Sequence, residues 1–201
     1  MSSAPDFRLM DAQMADCSGC LRDDIGVTAD VSRHLGTKIY QEVLDLGDGA
    51  KEAVKAASPV PVSARIQEIV CLQTLMEGVG PDHPVVIRRA QVLCCVYVCF
   101  VYLQEALFKV LLKNSDAQSA TRLCCKFLTD NPVRAFRNAI AHGNWQYSED
   151  PPGIVYWARK GADENEPLSR FEVNQEDLNF WNRLARCVAQ SAILAITQGP
   201  Q

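Results

Sequence analysis

At 201 residues the chain has room for one domain with a proper core, and 48% hydrophobic with 22% charged content excludes a disordered protein. A net charge of −4, from 20 basic and 24 acidic residues, excludes a global basic field that would draw in nucleic acid, so any such contact must come from a local patch. The longest apolar run, Val92 to Leu103, is 12 residues, too short to cross a bilayer.

Residues 1–28 mix Ser, Gly and Asp without a sustained period and predict a loosely packed or partly extended arm. Cys17-Ser-Gly-Cys20 within it has half the spacing of a zinc site. No second Cys-x2-Cys or His pair follows, and no βαβ setting favours a redox motif, so the two thiols read as incidental. Most of the other seven cysteines lie in apolar helical runs (Cys71, Cys94, Cys95, Cys99, Cys124, Cys125), where a thiol is a small buried hydrophobe. The odd total of nine, and Asp6, Asp11, Asp16, Asp23 and Asp24 where a secretion signal needs an apolar stretch, predict a reduced, cytoplasmic protein. From Thr28 or Asp30 onward, Val31, Leu35, Ile39, Val43 and Leu46 recur at helical spacing until Gly47-Asp-Gly49 stops the run. His34 beside that stripe reads as a surface or half-buried side chain. Ala50–Ala57 can form a short helix before Ser58-Pro-Val-Pro61 breaks the chain. The break separates 1–57, an arm with a helical extension, from 58–201, a helical bundle domain.

Ser63 to Met76 predicts the next helix, and Gly78-Val-Gly80-Pro-Asp-His-Pro84 a turn. Pro84 to Lys113 contains no internal Gly or Pro and predicts a rod of about 45 Å, apolar almost all round between Val92 and Leu103. Glu105 follows that section directly. A carboxylate there either faces solvent at the edge of the core or takes a cation from a later helix, because burial without a partner is costly. Ser115 can cap a helix through Leu128. Tyr147 to Gly153 predicts a loop. Ile154–Ala158 and Arg170–Val173 then predict a two-stranded hairpin with the polar stretch Lys160–Ser169 between them. Asn174, with Asp177 three residues on, opens a last helix to about Thr197 that can bury Leu178, Trp181, Leu184, Val188, Ile193 and Ile196. The fold class is all-α in the main, with the small hairpin inserted before the last helix.

The stretch from Asn131 to Trp145 carries the chemistry. Asn131 is a good N-cap, Pro132 suits the first helical position, and Val133, Phe136 and Ile140 give one apolar face. Gly143 supplies the left-handed stop. The helix between carries Arg137, Asn138 and His142. A guanidinium can fork phosphate or carboxylate oxygens, and an imidazole titrates near neutrality. The amide of Asn138 shares a face with the imidazole at i, i+4. Arg137 and His142 are five positions apart, about 140° on a regular helix, so one flat face cannot hold both.

In this form, Arg137-Asn138-Ala-Ile-Ala-His142, with Ala135-Phe136 before it and Gly143-Asn144-Trp145 after, the stretch resembles the signature of the HEPN superfamily. The likeness covers about residues 60–198. Members are small all-helical up-and-down bundles, many of them metal-independent ribonucleases of toxin–antitoxin, phage-defence and RNA-processing systems. The resemblance implies an endoribonuclease in which the RNA 2′-hydroxyl attacks the phosphate, leaving a 2′,3′-cyclic phosphate. His142 would transfer protons, Arg137 stabilise charge, Asn138 orient, and Glu105, an acidic residue on the second helix of the pattern, position Arg137. It implies no metal and no cofactor, a homodimer whose site is completed by a second copy of the motif, RNA as substrate, and for a toxin an antitoxin protein as partner. Toxins regulated by a nucleotidyltransferase often carry Tyr two residues after the His; Asn144 stands here, which speaks against adenylylation. The rival reading is a non-catalytic helical dimerisation or interaction module, with Arg137 paired to Glu105 and His142 capping the last carbonyls of its helix. Lys109, Lys113, Arg122, Lys126, Arg134 and Arg137 outnumber Glu105, Asp116 and Asp130 along 105–137 and offer a basic patch, or ordinary solvated faces. Trp145, Tyr147, Tyr156 and Trp157 read as packing between hairpin and bundle more than as stacking platforms.

Overall fold

A computed structural model describes residues 5–57, 64, 67, 68, 71, 96–149, 152–159 and 165–198. Where a loose arm was expected, residues 8–15 and 18–25 are helical and the segment is packed. Helix α1 (Arg8–Ala15) leads into α2 (Ser18–Cys20), which widens into a π-helical turn over Leu21–Ile25 and stops at Gly26, φ 83°. Phe7, Met14, Leu21, Ile25 and Val27 are buried, too sparse to show a period yet enough to anchor the segment. The buried Asp11 carboxylate accepts the backbone N–H groups of Gly36 (2.7 Å) and Thr37 (3.3 Å) and the Thr37 hydroxyl (2.7 Å).

That capture corrects the single helix expected from Thr28 to Leu46. The run is split at Arg33-His34 into α3 (Ala29–Ser32), capped by the Thr28 side chain, and α4 (Leu35–Leu44), whose first N–H groups Asp11 satisfies. A Cβ on Gly36 would lie 2.8 Å from Met10 Sδ and 3.0 Å from Asp11 Oδ1, so a larger residue there would push on the side chains by which α1 meets α4. Leu35, Ile39 and Val43 are buried and His34 is exposed, as their positions predict. Helix α5 (Asp48–Ala56) starts after Gly47.

The predicted break at Ser58–Pro61, the turn at Gly78–Pro84 and the long helix before residue 96 lie outside the described residues. Of the Ser63–Met76 helix, Ala64, Gln67, Glu68 and Cys71 are described and helical; Cys71 is exposed, not buried as its apolar neighbours suggested. Helix α6 (residues 96–114) has π-helical stretches at Tyr97–Tyr102 and Gln104–Phe108 and ends as α-helix at Lys109–Asn114. Val96, Cys99, Phe100, Leu103 and Leu107 are buried but Tyr97 is 50% exposed, so this part is one-sided rather than apolar all round.

Helix α7 (Ala120–Thr129) is capped by Ser119, whose Oγ accepts Arg122 N–H at 3.1 Å, and not by Ser115. Ser115 instead ends α6 in extended conformation, and the Arg122 guanidinium donates to the carbonyls of Leu112 and Ser115 to finish that helix. Glu42 of α4 accepts Ala120 N–H (3.1 Å), Thr121 N–H (2.8 Å) and the Thr121 hydroxyl (2.7 Å). Glu42→Ala should therefore lower stability by about 1–3 kcal/mol, read as an earlier urea midpoint, because half-buried donors lose their acceptor. An unchanged midpoint would show that water replaces the carboxylate without loss.

Helix α8 (Val133–His142) follows a cis Asn131-Pro132 bond. Pro132, not Asn131, is the residue before the helix, and no side chain caps it. The expected hairpin is a three-stranded antiparallel sheet in the order β1 (Trp145–Glu149), β2 (Pro152–Ala158), β3 (Ser169–Asn174). The residues expected to form a loop from Tyr147 pair in register, Trp145 with Tyr156 and Tyr147 with Ile154. Helix α9 (Gln175–Gln198) begins where Asn174 Oδ1 accepts Asp177 N–H at 2.8 Å. It buries Leu178, Trp181, Leu184 and Val188, while Ile193 and Ile196 are only partly covered.

The chain is thus mainly helical with a small antiparallel sheet. One cluster of buried side chains runs from Met14 through Leu35, Phe100, Cys125 and Phe136 to Ala195, so the described residues before 58 share a core with those from 96 onward. No helix among the described residues is long and apolar enough to cross a membrane.

Candidate functional site on helix α8

Helix α8 is held on its inner face by Val133, Phe136 and Ile140, with Ala135 and Ala139 also buried. The Phe136 ring meets Tyr156 (5.3 Å), Phe100 and Trp181 (both 5.6 Å) edge-on, which ties the helix to sheet, α6 and α9 at once. Its exit is fixed as well. Gly143 sits at φ 72°, Asn144 N–H donates to Ala139 O (2.9 Å) and Gly143 N–H to Ile140 O (3.3 Å), the paired bonds of a Schellman stop. The Asn144 carbonyl then accepts Trp157 N–H at 2.9 Å, binding the exit to β2.

On that rigid base Arg137 turns toward α6. Its guanidinium forms an ion pair with Glu105, and Nη1 donates to Asn138 Oδ1 at 2.8 Å. Glu105 fills both roles open to it from sequence: its carboxylate is 49% exposed at the edge of the core and takes the cation of Arg137. Lys109 Nζ, one turn further along α6, lies 2.7 Å from both Glu105 oxygens. Sequence reasoning counted Lys109 only in the basic patch and did not pair it with Glu105, although the i, i+4 spacing was the signal for it. Two cations share one carboxylate, which leaves a local excess of positive charge. Arg137 is 22% exposed, and its Nε is buried with no hydrogen-bond partner among the described residues. Its Nη groups, by contrast, are committed to Glu105 and Asn138.

His142 stands differently. It is the last residue of α8, exposed, and makes no hydrogen bond or ion pair among the described residues. The carbonyls it was expected to cap under the rival reading are met instead by the N–H groups of Gly143 and Asn144. The helix stays regular up to His142, so unwinding does not bring the imidazole round to Arg137, and the two side chains point about 140° apart. One chain therefore brings together Glu105, Arg137 and Asn138 and leaves His142 separate, one turn beyond Asn138.

The surrounding patch is smaller than its count of basic residues suggested. Arg122 is spent on the end of α6, while Lys113 and Lys126 are exposed and Arg134 is half-buried. Among the described residues no group of three His, Cys, Asp or Glu could hold a metal ion. Tyr156 is buried, stacked 5.4 Å from Phe171, and Trp145 and Tyr147 pack against the core, which makes these aromatics packing rather than platforms. A cleft of about 710 Å³ opens between α4 and the α6–α7 connection, but it touches none of Arg137, Asn138 and His142. No family model, curated protein or solved structure matches the chain.

Proposed function

We propose that the chain is a HEPN-type, metal-independent endoribonuclease, an up-and-down helical bundle that acts on RNA as a homodimer. The observation that carries this reading is the division of labour on α8: a guanidinium oriented by Glu105 and Asn138 on one flank, and an unengaged, solvent-facing imidazole at the helix end. Cleavage of RNA without a metal needs a group that moves protons and a cation beside the phosphorane. His142, exposed at the C-terminal end of α8, is placed to protonate the leaving 5′-oxygen. Arg137 faces the phosphate charge, Asn138 orients, and Glu105 acts as a positioning residue. Because a single chain separates Arg137 from His142, the working site takes one residue from each of two copies. A toxin or phage-defence effector restrained by an antitoxin protein, working in the cytoplasm, is the setting this reading favours.

The second reading, a non-catalytic helical interaction module, draws on the same Glu105–Arg137–Lys109 cluster, which would stabilise α6 against α8 without any chemistry. Incubating purified protein with single-stranded RNA in excess EDTA separates the two. The expected result is cleavage to 2′,3′-cyclic phosphate and 5′-hydroxyl ends. Activity only on addition of a divalent metal would overturn the mechanism, and a lack of cleavage on diverse RNAs would favour the module.

A further inference from the structure

We propose that Cys17 and Cys20 form a redox-active dithiol that closes to an intramolecular disulfide by exchange with a low-molecular-weight disulfide. The sequence alone made them incidental thiols, because no second pair of metal ligands follows and no βαβ setting surrounds them. In the folded chain they span the first turn of α2. Cys17 lies just outside the helix (φ −97°, ψ 15°) and its carbonyl accepts Leu21 N–H at 3.0 Å, while Cys20 is helical. Residues three apart on a helix face the same way, with Cβ atoms about 5–6 Å apart. A disulfide needs about 3.5–4.5 Å, a gap that a small rotation at the non-helical Cys17 can close. The intervening Ser18 and Gly19 put no bulk in the way, and a Cβ on Gly19 would meet nothing within 4 Å.

The two sulfurs are not equivalent. Arg183 of α9 donates from Nη1 to Cys17 Sγ at 3.9 Å, and no such cation contacts Cys20 among the described residues. Cys20 is held above the ordinary thiol range by partial desolvation first, then by the Asp24 carboxylate, Cys17 and Asp177. Cys17 is thus the attacking thiol and Cys20 the resolving one. Both can be reached, Cys17 half-buried and Cys20 exposed, whereas Cys99, Cys124, Cys125 and Cys187 are buried. In the first step the Cys17 thiolate attacks one sulfur of RS–SR, forming a mixed disulfide and releasing RS⁻, which takes a proton. In the second, Cys20 loses its proton to solvent and its thiolate attacks the Cys17 sulfur, expelling the second RS⁻. Two thiols are oxidised by two electrons and one disulfide is reduced to two thiols.

The full chain treated with oxidised glutathione under native conditions should lose two hydrogens, mapped by peptide mass spectrometry to a Cys17–Cys20 link. Cys20→Ser should stop at a stable glutathione adduct on Cys17, and Arg183→Gln should slow adduct formation several-fold in that background. Absence of the link in the native chain would overturn the proposal. So would an adduct in Cys20→Ser spread over other thiols instead of Cys17. An Arg183→Gln rate equal to that of its parent would overturn the order of attack.

Discussion

His142→Ala should lower RNA cleavage by about 10²–10⁴-fold, the usual contribution of a positioned proton-transfer group. Little else should change, because the imidazole is exposed and makes no contact among the described residues that folding would miss. The thermal midpoint of the variant should match that of the parent, so lost activity cannot be assigned to unfolding. Arg137→Ala should be comparably inactive, and Arg137→Lys should recover little, since a point charge cannot serve Glu105, Asn138 and a phosphate in the same fork. Mixing the two inactive variants tests the shared site. If Arg137 comes from one copy and His142 from the other, a mixed dimer holds one site with both groups intact, and activity should reappear on co-refolding. No recovery would place both groups in one chain, and full activity of His142→Ala alone would remove the nuclease proposal.

Phe136→Ala should cost about 3–5 kcal/mol, the range for emptying a large aromatic site in a core. The ring is fully buried and, among the described residues, is the place where α6, α8, α9 and the sheet all meet in edge-on aromatic contacts. For a chain of this size the thermal midpoint should fall by on the order of 10 °C, and Phe136→Leu should fall by less. A loss below about 1 kcal/mol would mean that the neighbouring rings close over the gap, and that α8 does not depend on this junction.

Local punctuation explains what was legible in the sequence. Gly143 ends α8 with positive φ, and Asn174 with Asp177 opens α9, because each signal acts within four residues of the backbone groups it satisfies. The apolar stripes at Leu35, Ile39 and Val43 and at Val133, Phe136 and Ile140 faced inward for the same reason. What failed depended on distant partners. Asp11 reaches Gly36, splitting a helix whose hydrophobic spacing runs on unbroken. Ser115 looked like a cap until Arg122 drew its carbonyl to the end of α6, leaving the role to Ser119. Trp145–Glu149 alternates aromatic and polar residues, but its Ser and Glu beside Pro-Pro-Gly resembled a loop, and only pairing with β2 makes it a strand. At the candidate site the resemblance carried by the Arg137–His142 stretch named Arg137, Asn138, His142 and Glu105, and tertiary structure decided which of them touch.

The carboxylates of Asp11 and Glu42 carry one more lesson. Two helix beginnings, those of α4 and α7, are completed by side chains borrowed from elements 25 and 78 residues earlier in the chain. Helix α4 has no cap of its own and α7 has only Ser119 at Arg122 N–H, so each gains its full stability only once its lender is in place, which couples early and late segments into a single cooperative assembly. A fragment beginning at residue 58 would leave α7 with bare N–H groups at its head and loosen the support beneath α8, although no residue of α8 itself had been removed.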